Sequence, residues 1–187
     1  MQRIAIIGSC GAGKSTLARS LGNKLNLPVI HLDTYYWQPE WQPSGDREWL
    51  EIHQKLIKGD CAASATLRVQ PAGRSVPKGL RHRWIIDGNY GNTMAGRLAA
   101  ADTIIWLDFN RYLCLWRVIK RYLQYRGKTR PDMAASCPER LNLEFLLYVW
   151  RFPQLHRSRI CEKLAACQED RQIIVLQNPR QVLDLLK

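Results

Sequence analysis

Apolar residues fall in short runs, each closed by a polar residue or glycine, and these runs alternate with stretches where apolar positions recur every three or four residues. The runs Arg3 to Ile7, Val29 to Leu32, Trp84 to Ile86, Thr103 to Leu107 and Ile173 to Leu176 read as strands buried on both faces. Between them, Leu17, Ala18, Leu21 and Leu25 form one helical stripe, and Trp49, Ile52, His53, Leu56 and Ile57 form a second. The alternation predicts an α/β fold with a five-stranded parallel sheet and helices on both faces, three layers in all. A long helical stretch opens near Arg111, breaks across Gly127 to Pro131, resumes from Glu139, and is expected to kink or end at Pro153. Asn178 followed by Pro179 predicts an N-cap with proline in the first turn of a short last helix.

One stretch breaks this rhythm. Cys61 to Arg83 is rich in Ala, Ser, Gly, Pro and Arg, holds no acid and shows neither period, so it reads as a basic loop or insertion. The whole chain, 187 residues, suits a single domain with a real core. Its 46% apolar and 24% charged residues exclude collagenous, low-complexity and wholly disordered classes. No apolar stretch approaches the roughly 18 residues of a membrane span, and the run after Arg3 is too short for a signal-peptide core, so a cytoplasmic protein is expected. Six scattered cysteines lack CxxC spacing and read as reduced thiols. The net charge of +12 is the unusual feature, and such a field attracts polyphosphates, nucleic acid or other anions.

Candidate chemistry begins at Gly8-Ser9-Cys10-Gly11-Ala12-Gly13-Lys14-Ser15, which satisfies G-x-x-x-x-G-K-[ST] between a predicted strand and a predicted helix. Glycines let successive backbone N–H groups turn toward phosphate oxygens, and the helix start adds its positive dipole end. Lys14 is expected to reach the β and γ phosphates of ATP, Ser15 to ligate Mg²⁺, and Thr16 to add a phosphate contact. Cys10 sits inside this loop, where alkylation would crowd the phosphates.

Trp84-Ile85-Ile86-Asp87 is an apolar run ending in a carboxylate suited to hold the hydrated metal. Gly88 follows, with no adjacent Glu to polarise water, which favours transfer over hydrolysis. Asp33 ends the second strand run, on the side of a parallel sheet where ligands bind, and reads either as the group that orients or deprotonates an acceptor hydroxyl or as a loop cap. His31 reads as structural. From Asp108 to Asp132 no acid interrupts Arg111, Arg117, Lys120, Arg121, Arg126, Lys128 and Arg130. The bland reading is a solvated basic face; the sharper one is a segment folding over nucleotide with Arg126, Arg130 and Arg140 against the transferred phosphoryl, while Arg111 and Arg117 contact nucleotide from the helix. Tyr35, Tyr36, Trp37, Trp41 and Trp49 cluster after Asp33 and read first as packing beneath a loop, second as a stacking platform.

Together GSCGAGKSTLA, HLDTYYWQPEW, WIIDGNYGNTM, ADTIIWLDFNR, YRGKTRPDM with CPERL, and IIVLQNP resemble the DNA topology modulation proteins, a branch of the adenylate-kinase-like P-loop proteins. The resemblance covers everything except Cys61 to Arg83. It implies a P-loop NTPase fold with a sheet of adenylate-kinase type, a substrate-binding region over 34–60, a basic insertion over 61–83 and a small lid over 126–140. Adenylate kinases follow their strand-end aspartate with DGFPR, whose arginine grips an acceptor monophosphate; here DGNYG puts Gly91 at that place, leaving Arg97 or Arg47 as substitutes. The expected function is transfer of the γ phosphoryl of Mg·ATP to a nucleoside, nucleotide or related small metabolite. The rivals are a nucleic-acid-associated ATPase affecting DNA topology and a nucleotide-binding switch with little turnover.

Overall fold

Adjacent residues of the central strand run bury themselves in different places. Ile4 and Ile6 pack with Leu17, Ala18, Leu21, Cys114 and Val118 on one side of a sheet, while Ala5 and Ile7 pack with Trp49, Leu56, Met94 and Leu98 on the other. A strand with two buried faces needs an unbroken apolar run and a cover of helices above and below, and that requirement gives three layers. Full burial of each such isoleucine stabilises the fold by about 1.5–3 kcal/mol.

The computed structural model describes residues 1–59, 82–167 and 171–187. The basic stretch therefore lies, up to residue 81 and including Cys61, outside the described residues. In chain order the elements are β1 (Arg3–Gly8), α1 (Lys14–Leu25), β2 (Val29–His31), α2 (Asp33–Tyr36), β3 (Trp37–Gln38), β4 (Gln42–Pro43), α3 (Asp46–Lys58), β5 (Trp84–Asp87), α4 (Gly91–Ala100), β6 (Thr103–Leu107), α5 (Arg111–Tyr125), α6 (Leu143–Ala165), β7 (Gln172–Leu176) and α7 (Pro179–Leu186). The main sheet runs β2-β5-β1-β6-β7 with every pairing parallel; β3 and β4 form a separate antiparallel hairpin. β1 lies between β5 and β6, so the chain leaves it toward one edge and later returns on the other side, creating the crevice where open parallel sheets bind ligands. Register then puts Ile6 opposite Asp87 and Gly8 opposite Leu107, so the glycine-rich loop and the Asp87 carboxylate share one end of the sheet.

Two expectations change, and one helix was not foreseen. The second helical stretch after Arg111 starts at Leu143, where the Asn142 side chain accepts from the Phe145 N–H, rather than at Glu139. Of the two outcomes expected at Pro153, a kink or an end, the end does not occur, because the helix runs through to Ala165. Proline in a helix interior costs about 3 kcal/mol, but Phe152, Ile160 and Leu164 bury themselves against the sheet on both sides of it, and that packing outweighs the lost bond. α4 was not visible as a helix because its sequence is mostly small and polar; Met94 and Leu98 alone carry its apolar face. The last helix is capped as expected, with a reciprocal box between Asn178 and Gln181.

Candidate active site

The loop after β1 holds its shape through left-handed glycines, φ 80° at Gly11 and 97° at Gly13. A side chain at Gly11 would collide with the Cys114 carbonyl of α5, so that helix fits the loop only because the position is bare. Gly13 is the N-cap of α1 and provides no side-chain acceptor, which leaves the first N–H groups of the helix uncapped and available to an anion. Lys14 Nζ donates to the Ser9 carbonyl at 3.0 Å, and Arg117 of α5 donates to the Ala12 carbonyl at 3.1 Å. Ser15 Oγ donates to Asp87 Oδ2 at 2.7 Å. Asp87 Oδ1 lies 2.5 Å from His31 Nδ1, so the histidine read as structural in fact orients this carboxylate. Burial alone would lower the His31 pKa, but the hydrogen bond and charge of Asp87 hold it above the usual value.

Two cavities meet over this loop. The first, about 720 Å³, is lined by Cys10 to Thr16, Asp87, Arg117, Arg121, Arg130 and Asp132, and continues to Pro179, Val182 and Leu183 of α7. The second, about 710 Å³, is walled by Trp37, Trp41, Tyr90, Met94, Met133, Phe145 and Tyr148, with Arg140, Arg159 and Lys163 among its polar lining. Cys10, Lys14, Asp33, Gly88, Arg121 and Arg130 border both, so a group held at Lys14 and Arg130 is within reach from either side.

Asp33 stands at that junction, at the start of α2, and Oδ1 accepts from the Tyr90 hydroxyl at 2.6 Å. Burial raises the Asp33 pKa, against the lowering pull of the Tyr90 bond and of Lys14. Oδ2 has no hydrogen-bond partner among the described residues. Tyr90 itself is fixed against Tyr36 and Trp49, with ring centroids 4.5 and 4.8 Å away. The aromatic cluster thus divides: Trp49 is packing, whereas Trp37 and Trp41 face the second cavity.

Residues 126–140 fold over the junction. Lys128 accepts from the Glu139 N–H, and Met133, Ala134 and Cys137 pack on Trp37 and Trp41. Trp41 Nε1 donates to the Pro138 carbonyl at 3.0 Å, tying the segment to the β3–β4 hairpin. Arg130 is buried, 3.0 Å from Asp132 and 2.6 Å from Glu139, and Arg121 reaches the other oxygen of Glu139 at 2.9 Å. Burial would lower the Arg130 pKa, but these two carboxylates hold it above its usual value; reciprocally, Arg130 keeps the Asp132 pKa low despite burial. Arg140 stacks 4.6 Å above the Trp41 ring.

Of the arginines expected here, Arg130 and Arg140 line the cavities and Arg126 does not: it is exposed, its backbone bridged to Glu139. Arg121, for which no site role was expected, borders both cavities instead, because the helical period turns Arg121 and Arg117 toward the loop. Arg111 is turned away, 4.8 Å over Trp150. Thr16 is exposed at the first cavity. Neither arginine offered as a substitute monophosphate grip lines either cavity. Arg47 is exposed and paired with Glu51, and Arg97 is wholly buried, donating to the Gly88 carbonyl at 3.0 Å and lying 3.2 Å from His53 Nε2. No role was expected of Tyr90, Asp132 or Glu139, although each lies inside a motif quoted above, in WIIDGNYGNTM, YRGKTRPDM and CPERL respectively.

His53, buried beside the Arg97 cation, has its pKa lowered from 6.5 to about 4. The folded state therefore keeps this ring neutral where the unfolded chain binds a proton. Its contribution to stability is present above pH 6.5 and is lost as pH falls toward about 4. Denaturation midpoints measured across that window should fall with pH, and His53→Gln should flatten the slope.

No family model matches the chain. Among curated proteins it is similar to a shikimate kinase from Enterococcus faecalis, 53% identical over 34 residues, which is 18% of this chain and 20% of that relative's length. Among solved structures it is similar to a sugar kinase from Janibacter sp. HTCC2649, with a TM-score of 0.50 and 17% identity over 99% of this chain and 91% of the other. It is also similar to a shikimate kinase from Acinetobacter baumannii, at a TM-score of 0.50 and 16% identity, over 100% of this chain and 89% of the other. These likenesses establish the fold as that of P-loop kinases. No described helix is long and apolar enough to cross a membrane.

Proposed function

We propose that the chain is a phosphotransferase that moves the γ phosphoryl group of Mg·ATP to a hydroxyl of a small acceptor. The observation that carries this reading is the junction itself: Lys14, Arg130 and Asp33 border both a cavity lined by the glycine-rich loop and an aromatic-walled one. A nucleotide in the first cavity would lay its phosphates on the loop amides and its base toward Val182 and Leu183. The acceptor would occupy the second, held by region 34–60 and covered by the lid 126–140. Within P-loop kinases, the joined motifs of the sequence favour the DNA topology modulation branch.

The donor set fits magnesium. Ser15 and Asp87 offer hard oxygen ligands beside the phosphate loop, and among the described residues there is no cluster of three or more His, Cys, Asp or Glu side chains to cage a softer metal. Bound there, magnesium would neutralise phosphate charge. Asp33 Oδ2 would accept the proton of the acceptor hydroxyl while that oxygen forms its bond to phosphorus, the bond from phosphorus to the bridging oxygen breaks, and ADP leaves. Lys14, Arg121 and Arg130 would stabilise the charge shared by the transferring oxygens. Transfer is favoured over hydrolysis because the lid, the hairpin and Tyr148 enclose the Asp33 carboxylate and leave it facing the acceptor cavity.

An acceptor for this cavity should present a ring or apolar body to Trp37, Trp41 and Tyr148, with a hydroxyl at Asp33. Nucleosides, nucleotides and related metabolites meet that description. Screening γ-labelled ATP against nucleosides, monophosphates and cyclic polyols should give a labelled acceptor whose formation requires magnesium. Release of inorganic phosphate alone across the whole panel would contradict the reading.

A further inference from the structure

We propose that the outer face of α5 is a self-association surface and that a second copy of the chain covers it, helix against antiparallel helix, about a two-fold axis. The inner face of this helix is fully engaged: Cys114 and Val118 are buried against the phosphate-loop side of the core. The outer face carries Tyr112, Trp116, Ile119 and Leu123, which are 67%, 57%, 42% and 67% exposed. Spacings of four, three and four residues make this a straight seam of the kind that one helix presents to another.

The seam reads the same in both directions. An antiparallel copy brings Tyr112 opposite Leu123 and Trp116 opposite Ile119, a large side chain against a smaller one at every level. A single patch then serves both partners, as a closed two-fold interface requires. On α6, Trp150 meets Tyr112 at 5.2 Å between ring centroids, and the exposed Leu147 and Leu143 follow it at helical spacing. The exposed parts of these side chains amount to about 500 Å² of apolar surface per copy. Pairing two copies hides about 1,000 Å² before any polar rim is counted, the lower bound for a biological interface, and the rim carries it toward the ~1,200 Å² of stable ones.

The cations of α5 favour this occupant over an anionic one. Arg111 lies over Trp150, Arg117 donates to Ala12 and Arg121 pairs with Glu139, leaving Lys120 on the open side, 5.1 Å from the Trp116 ring. A lipid surface or an acidic partner would be recognised by a fringe of free cations, and on α5 itself Lys120 alone stands open. With each copy at a net charge of +12, long-range repulsion opposes pairing, so added salt should tighten it. Binding to an acidic partner or an anionic membrane would weaken instead.

Sedimentation of the full chain at micromolar concentration, in 0.1 and 0.5 M salt, tests the proposal. The expected result is a species of twice the 21.7 kDa chain mass, with its fraction rising at the higher salt. Trp116→Glu should weaken pairing at least a hundredfold, whereas Leu155→Glu, an exposed leucine elsewhere on α6, should leave it unchanged. Circular dichroism of each variant checks that it is folded, and the wild-type mass decides the question even if a variant fails that check. A monomer at both salt concentrations overturns the proposal. So does pelleting of a monomer with phosphatidylserine vesicles, or a dimer that Trp116→Glu leaves intact.

Discussion

Lys14→Ala is expected to cut phosphoryl transfer about a hundred- to a thousandfold, the usual loss when one preorganised donor to transition-state charge is removed. Affinity for Mg·ATP should fall as well, by about ten- to a hundredfold, because a hydrogen bond to a charged group contributes about 1.5–3 kcal/mol. The fold should survive. In the unliganded chain Lys14 is partly exposed and donates only to the Ser9 carbonyl, so no core contact is lost. Transfer assays and calorimetry on the same preparation separate the two effects, and unchanged turnover would remove the loop from the chemistry.

Asp33→Asn should do something different. Asparagine keeps the shape and its carbonyl oxygen still accepts from Tyr90, so nucleotide affinity should stay within about threefold. The substitution removes the base, and kcat should drop about a hundred- to ten-thousandfold. The wild-type pH profile carries a matching sign. Asp33 works as the carboxylate, and burial lifts its pKa above the ordinary 3.8, so activity should be lost as pH falls through that raised value. Tyr90→Phe deletes the hydrogen bond that favours the ionised form and should move the acidic limb to higher pH. A profile that ignores Tyr90 would separate Asp33 from proton transfer.

Much of this arrangement is legible in the chain because it rests on local rules. The strand runs are apolar at every position because both faces of the sheet are covered, and the phosphate loop is readable because close backbone approach at Gly11 admits no side chain. Asp87 and Asp33 are found by their places at strand ends. Illegible features depend on distance in sequence. Glu139 matters because it joins Arg121 to Arg130 across a turn; CPERL brings it into view as part of a motif, but nothing in the motif says which arginines it pairs. Arg97 looked like a ligand-binding cation and is instead a buried strut, since its helix face turns it toward His53 and the Gly88 carbonyl. Pro153 read as a helix kink or end because propensity is local, while the packing of Phe152 and Ile160 that carries the helix through it is not.

The central claim is that loop amides, Lys14 and the Ser15–Asp87 pair together receive a magnesium nucleoside triphosphate. Titrating Mg·ATP into the folded chain in a calorimeter tests it most directly. The account predicts heat that saturates at one nucleotide per chain and is strongly reduced by chelating magnesium or by Lys14→Ala. An absence of heat, or binding that neither change affects, would contradict it.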